Sequence, residues 1–577
     1  MNSLSRKYAM TSKISAILAC TILTTAAGYF SGCCSDAGHP DMDKLNARAA
    51  QEYLDPIRPG YEGRNPYWNG FATKFIYAPA FDFKTIDGAT GYRYTAEFLG
   101  TEMTESPRYR ADQKSEDPEP RWILGEGAPT GESWTFTADS PNAALSPVWN
   151  DIHVGKVRLT VEGIGPDGDV TGIAGTKEFL RDFPFHGPYN SNVRPYLESA
   201  RMAALFIHGL PAIQNWKDST VPDMTYRHNT YACKIIGATI QLECLIARIL
   251  PRHREEAELI ACNAAQFLID ESQPEGAPLA WFPPTYYSNL ISSSREENQG
   301  KAMTMEACMA GNGFLDLYDL TGDRKYMEQA RRIADTYRTL QAEDGSMPIK
   351  VDYTTGQPVN GCKAMLTPVM EYFSRLERQY GITDYRENLR KAEKWMEAMA
   401  MSTFDMTAQF EDMTVLDQAP YQNLTNCASA PYASWLLNKE EISDSDLENA
   451  IDLIRFSEDQ FVCWDVLPDP DGIRTMSTPS VYEQYGYRMP IDHSSAVVAK
   501  AMLDLYEITG DELVLAKAKA LVDNLTVVQN PLNGQIPTSL DLRGGYKNEG
   551  RGFWTNCTYA SITALLKMAE IEERLHR

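Results

Sequence analysis

The spacing of apolar residues changes character near the end of the first third of the chain. From about Tyr67 to about Asp182, apolar and polar positions alternate in short aromatic runs. Examples are "KFIYAPAFDF", "GYRYTAEF", "ESWTFTA" and "GKVRLTVEGI", separated by clusters of Gly, Pro and Asp. A period of two with such punctuation predicts strands. From about Val193 onward, apolar residues recur every three and four positions. This predicts helices near 194–208, 230–250, 254–272, 303–320, 323–341, 362–380, 383–400, 424–438, 445–464, 492–509, 511–529 and 555–574.

A near-repeat fixes the register of the helical part. "LYDLTGD" runs from Leu317 to Asp323 and "LYEITGD" from Leu505 to Asp511, an offset of 188. Adding that offset to Tyr326, Ala330, Ile333, Ala334, Tyr337 and Leu340 gives Val514, Ala518, Leu521, Val522, Leu525 and Val528, all apolar. In each copy Gly suits a left-handed helix end and Asp the start of the next helix. About 63 residues per helix pair makes the offset close to three pairs, so the copies lie opposite one another if six pairs close into a ring. An open helical solenoid for protein binding is the competing reading.

The twelve-helix text with its opposed repeat resembles the six-hairpin glycosidase superfamily, which implies an (α/α)6 toroid over 187–577. The strand-rich text is similar to a fibronectin type III or immunoglobulin-like sandwich, carried by "FDFKTIDGATGYRYTAEF" with its "GAxxY" turn, and implies a β-sandwich over 67–186. Ahead of both, Arg6, Lys7 and Lys13 precede the apolar run "ISAILACTILTTAAGYF" and then "SGCC", the order of a secretory signal. Ser31 and Gly32 before Cys33 resemble a bacterial lipobox, although Phe30 stands where Leu is usual. The expectation is a lipoprotein signal over 1–32, a lipid on Cys33, a linker over 33–66, and export to the bacterial outer membrane. Ordinary secretion is the alternative.

The charge balance removes one class of partner. With 54 Lys and Arg against 78 Asp and Glu the net charge is −24, and such a body repels nucleic-acid phosphates. Local arginines in a cleft keep acidic polysaccharide open. Beyond Cys20, Cys33 and Cys34, eight scattered cysteines show no CxxC spacing, nor does an HExxH occur. No metal or cofactor is therefore expected: buried thiols acting as small hydrophobes are favoured over a metal site, and an exported protein leaves room for a disulfide or two.

Links between helices alternate between short and long, which puts the long ones on one face. These read "PDMTYRHNTY", "PLAWFPPTYY", "GSMPIKVDYTTG", "QFEDM", "VYEQYGYR" and "GRGFWTN", mixing aromatics, carboxylates and arginines. Flat apolar rings stack on sugar C–H groups while fixed polar groups read hydroxyls; the plainer account is that the rings pack their own loops. Glycoside hydrolysis needs two carboxyl groups. The candidates are Glu296, Glu297, Asp352, Glu411, Asp412, Glu483, Asp492 and Glu549. Glu483 leads because Tyr482, Tyr485 and Tyr487 flank it and an apolar surround raises a carboxyl; Asp352, Glu411 and Asp412 are alternatives for the base. Tyr226, His228, Trp281, Tyr286, Tyr485, Arg488, His493, Arg551 and Trp554 are expected to bind substrate, with the arginines suited to a uronate.

The combination of lipoprotein signal, sandwich and toroid looks like polysaccharide-utilisation enzymes of gut-type bacteria. Overall likeness of the toroid text points to glycoside hydrolase family 154. That implies a carbohydrate substrate and β-glucuronidase activity, an exo-acting release of uronic acid. A polysaccharide lyase, with Tyr226, His228, Tyr485 or His493 abstracting the proton beside a uronate carboxylate, and a surface glycan-binding lipoprotein are the alternatives.

Overall fold

The computed structural model describes residues 41–58, 67–105, 122–287, 297–407, 415–468, 470–472, 475–485, 488–541 and 553–577. Cys33, and with it the signal region, lies outside them.

After helix α1 (Met42–Glu52), seven strands follow: β1 (Lys74–Phe75), β2 (Gly91–Gly100), β3 (Met103–Glu105), β4 (Trp122–Leu124), β5 (Ser133–Ala138), β6 (Gly155–Ile164) and β7 (Val170–Arg181). Five form one sheet in the order β1-β7-β6-β2-β5, antiparallel except for β1 beside β7, and β3 pairs only with β4. The alternation is real. Tyr92, Tyr94 and Ala96 on β2 and Val157, Leu159 and Val161 on β6 are buried on one face.

The expected sandwich is not what covers that face. Among the described residues the second layer is irregular chain from 76–86 and 139–152. Phe81 lies against Phe179 at 6.0 Å, and Trp149 sits under the Arg181 guanidinium at 4.4 Å while donating Nε1–H to the Ile76 carbonyl at 2.8 Å. Period-two alternation reports that one face is buried but not what buries it.

The rest is helical: α2 (Tyr196–His208), α3 (Ala232–Ile249), α4 (Arg254–Asp270), α5 (Ala307–Thr321), α6 (Arg324–Leu340), α7 (Thr367–Tyr380), α8 (Arg386–Met396), α9 (Asn426–Leu437), α10 (Asp444–Phe461), α11 (Asp492–Thr509), α12 (Glu512–Val528) and α13 (Thr555–Leu575). Contacts run α3 to α5, α7, α9, α11, α13 and back to α3, so six helices close a ring. Each is backed by a second helix: α4, α6, α8, α10, α12 and, behind α13, α2. The architecture is thus six helix pairs in a closed ring, with the last inner helix packed on the first helix of the set. The amphipathic faces explain it. On α6, Tyr326, Ala330, Ile333, Ala334 and Tyr337 are buried, and on α12 Ala518, Leu521, Val522, Leu525 and Val528.

The sheet is fixed to the ring by a buried polar junction. Glu458 near the end of α10 accepts from Tyr53 Oη at 2.6 Å, Tyr77 Oη at 2.8 Å, Trp464 Nε1 at 3.1 Å and Lys517 Nζ at 2.8 Å. Beside it, Asp459 accepts from the backbone N–H groups of Ile76 and Tyr77 at 2.6 and 2.8 Å. The eight scattered cysteines are free thiols.

Candidate functional site

Each inner helix follows a long link, so the N-termini at Ala232, Ala307, Thr367, Asn426, Asp492 and Thr555 open on one face. Six helix N-termini present partial positive charge there, each worth about 0.3–1 kcal/mol to a nearby anion.

An aromatic cup is built over this opening. The short helical turn Arg227–Thr230 brings His228 against Trp554, stacked at 4.1 Å, and Tyr231 lies 5.2 Å from Trp554 and 6.0 Å from Tyr286. Tyr226 stacks on Phe553 at 5.1 Å. Its hydroxyl donates to the Phe553 carbonyl at 2.8 Å and accepts from Thr555 N at 3.1 Å, which ties the first loop to the last helix. Lys234, in the first turn of α3, places its ammonium 4.4 Å over Trp554 and 5.1 Å over Tyr231. A cation–π contact of this kind contributes about 0.5–2 kcal/mol.

Deeper in, His493 Nδ1 lies 3.8 Å from Cys427 Sγ. Burial first, and the Lys234 charge second, pull the imidazole down to about 4, so it is neutral at neutral pH. Asp492 beside it is fully buried, and burial outweighs both the helix N-terminus and its Ser561 hydrogen bond of 3.0 Å, driving its carboxyl well above the usual range. Cys557 is likewise pushed up by burial, with Asp492 and Glu483 adding negative charge beside it.

Glu483 is held at this rim through its backbone. Its N–H donates to the Met489 carbonyl at 3.0 Å, and its carbonyl accepts from Asn426 Nδ2 at 3.0 Å and Thr425 Oγ1 at 3.2 Å at the start of α9. Two of its tyrosine neighbours, Tyr482 and Tyr485, face elsewhere. Tyr485 donates its hydroxyl to Gln460 and packs 5.8 Å from Phe461, while Tyr482 lies under Arg488 at 5.5 Å.

The structure therefore draws Tyr226, His228, Tyr286, Glu483, His493 and Trp554 toward one opening. Trp281 and Asp352 have other company. Trp281 adopts φ +68° and lies under Arg332 of α6 at 4.4 Å, a loop packed on an outer helix. Asp352 ends β9 (Lys350–Asp352), paired with β8 (Lys301–Met303), and binds Lys301 Nζ at 2.9 Å and the Thr355 N–H at 2.9 Å. Those bonds, Lys301 first, hold its carboxyl far below the usual carboxylate range and make it a permanent anion in a turn. Glu411, Asp412, Arg551 and Tyr487 lie outside the described residues, as do Glu296 and Glu549.

Several groups escaped the sequence reading. Lys234 in "YACKIIGAT" is one charge in an apolar helix start, a signal visible in hindsight. Glu371 in "PVMEYF" is another. It is solvent-exposed on α7, yet it feels Lys500 and Asp504 on α11, which is not α7's neighbour in the ring. The interaction thus crosses the ring interior, and exposure there means a wet lumen. The surrounding helices first, and Asp504 after them, push its carboxyl above the usual range, an effect that lumen water around the exposed side chain tempers.

No protein-family model matches the chain, and no curated protein does. Among solved structures the chain is similar to a family 76 glycoside hydrolase from a bovine Bacteroides thetaiotaomicron strain, at 11% identity and TM-score 0.46 over 85% of this chain and 95% of that one. A cellobiose 2-epimerase from Spirochaeta thermophila matches at 15% identity and TM-score 0.46 over 67% of this chain and 100% of that one. An unsaturated glucuronyl hydrolase specific for heparin matches at 12% identity and TM-score 0.40 over 66% and 98%. These likenesses are too distant to fix an activity, and the ring stands on its own helix contacts.

Proposed function

We propose that the protein is an exported, lipid-anchored carbohydrate-active enzyme, a glycoside hydrolase that removes a terminal uronic acid from a complex polysaccharide. The reading takes 187–577 as the catalytic unit and 67–186 as a supporting module. The observation that carries it is the cup itself. Aromatic walls from Tyr226, His228, Tyr231 and Trp554, the Lys234 ammonium and six helix N-termini suit a ring with a carboxylate, and Glu483 stands at the rim.

In this reading Lys234 binds the uronate carboxylate and Glu483 serves as one member of the carboxyl pair. Glu371, an accessible carboxyl pushed above the usual range by the helices around it, is suited to hold a proton for the leaving oxygen. Its partner acts as base or nucleophile, with a separation of about 5.5 Å giving retention and about 6.5–9.5 Å inversion. This corresponds to the β-glucuronidase activity that the family 154 resemblance implies.

His493 favours a second reading. Its neutral imidazole, just below the cup, has the free lone pair that a lyase uses to take the proton from the carbon beside a uronate carboxylate, while the burial that keeps it neutral also lowers its basicity.

Incubation of the purified protein with plant, algal and host oligosaccharides that carry uronate either as a terminal cap or as an internal 4-linked residue, whose C4 oxygen is the leaving group a lyase expels, followed by product analysis, separates the two. Release of saturated uronic acid supports the hydrolase, and an ultraviolet-absorbing unsaturated sugar supports the lyase. Lys234→Met is expected to raise KM for the uronate substrate about 10-fold or more, with a smaller effect on a neutral analogue. Equal effects on both would remove Lys234 from carboxylate recognition.

A further inference from the structure

His208, His253 and Glu256 form a cluster that shares no residue with the aromatic cup. His208 closes α2 and is 4% exposed, His253 lies in the link between α3 and α4, and Glu256 stands in the first turn of α4. One potential ligand atom from each lies within 4.8 Å of the other two. The two imidazoles meet edge to face at 5.0 Å between centroids.

The orientation of His208 is set from behind. Its Nδ1 is 2.8 Å from Oε2 of Glu243, a carboxylate of α3 with no exposed surface. A proton on Nδ1 shared with that carboxylate leaves the Nε2 lone pair aimed at His253 and Glu256. Nε2 is buried and makes no hydrogen bond, the nearest carboxylate oxygen being Glu256 Oε2 at 3.5 Å. A buried carboxylate behind an imidazole whose far nitrogen is unpartnered is the arrangement that orients histidines toward metals. Glu256 is oriented as well, because Lys217 Nζ holds its other oxygen, Oε1, at 2.6 Å and leaves Oε2 facing the histidines.

We propose that His208, His253 and Glu256 bind a divalent transition metal, with zinc the best fit. Two imidazole nitrogens and one carboxylate oxygen suit Zn²⁺ with water as fourth ligand, and they suit the oxygen-seeking Ca²⁺ and Mg²⁺ poorly. Tetrahedral ligands at about 2.0–2.1 Å from zinc stand about 3.3 Å apart. From separations within 4.8 Å, the cluster therefore contracts by up to about 1.5 Å on binding, through His253, which sits half-buried in its link. The ion would tie the end of α2 to the start of α4, with Glu243 of α3 as positioning residue.

The test uses the full chain stripped by a chelator and titrated with Zn²⁺ alone, followed by thermal unfolding, with Co²⁺ absorption as a second readout. One ion per chain, a raised Tm and a cobalt spectrum without thiolate charge transfer are expected. Because His253 is not buried, His253→Ala and Glu256→Gln are expected to stay folded and lose stoichiometric binding. Glu243→Gln is expected to weaken binding 10–100-fold. No binding by the parent protein, binding unchanged in His253→Ala, or a thiolate band reporting cysteine ligation would each overturn the proposal.

Discussion

Single residues decide where charge resides. Asp459 receives two backbone N–H bonds, which favour the anion, yet burial wins and raises its carboxyl to about 6. A folded-state value above the unfolded one means the native protein holds the proton more tightly. The stability this gives is complete below about pH 4 and is lost as the pH rises through about 6, a drop on the order of 3 kcal/mol. Asp459→Asn keeps the acceptor and lacks the titration. Its urea midpoint is expected to fall less than the parent's between pH 4.5 and 7.5, and parallel falls would place the titration elsewhere. Little of this was legible beforehand. Glu483, His228, His493, Tyr226 and Trp554 could be named as candidates because aromatics and charges concentrate in the long links, and the structure gathers them at one opening. Lys234 and Glu371 were missed because a lone charge in an apolar helix reads as an exception until the ring shows its interior.

At the level of elements, the helices of the ring were legible, whereas α1 (Met42–Glu52) lies in the stretch expected to be a linker. All twelve predicted segments are helices, with ends shifted by a few residues, as at α7, which begins at Thr367 instead of near 362. The repeated "TGD" behaves as its chemistry demands. Gly322 and Gly510 end α5 and α11 at φ +74° and +68°, and the Asp323 and Asp511 carboxylates accept from the backbone N–H groups of Lys325 and Leu513 at 3.0 and 2.9 Å. A Cβ at Gly510 meets no atom within 4 Å, so its cost is backbone strain alone. Gly510→Ala is expected to lower stability by about 1 kcal/mol with turnover intact. The double variant with Gly322→Ala should lose about twice that, since α5 and α11 stand three steps apart in the ring. Denaturant midpoints check both figures. The strands were legible as strands, but the covering layer was not, because 76–86 and 139–152 bury Phe81 and Trp149 without any period.

The whole molecule is a ring whose chemistry faces one way. Its cup joins residues from 226 to 234 with residues from 553 to 557, contacts made only because α13 closes on α3. Closure was inferable from the 188-residue offset, whereas the pairing of particular side chains across it was not, since link sequences carry no period. The polar junction at Glu458 and Asp459 also reaches this face, because the adjacent Gln460 accepts from Tyr485, two residues from Glu483. The central claim is that Glu483 at the mouth of this ring is a reacting carboxyl. The direct measurement is kcat of Glu483→Gln on whichever uronate-capped oligosaccharide the parent protein cleaves, with circular dichroism and Tm taken on the same samples. The account predicts loss of turnover by about 1,000-fold or more in a protein that melts like the parent. A folded Glu483→Gln protein with parental kcat would contradict it.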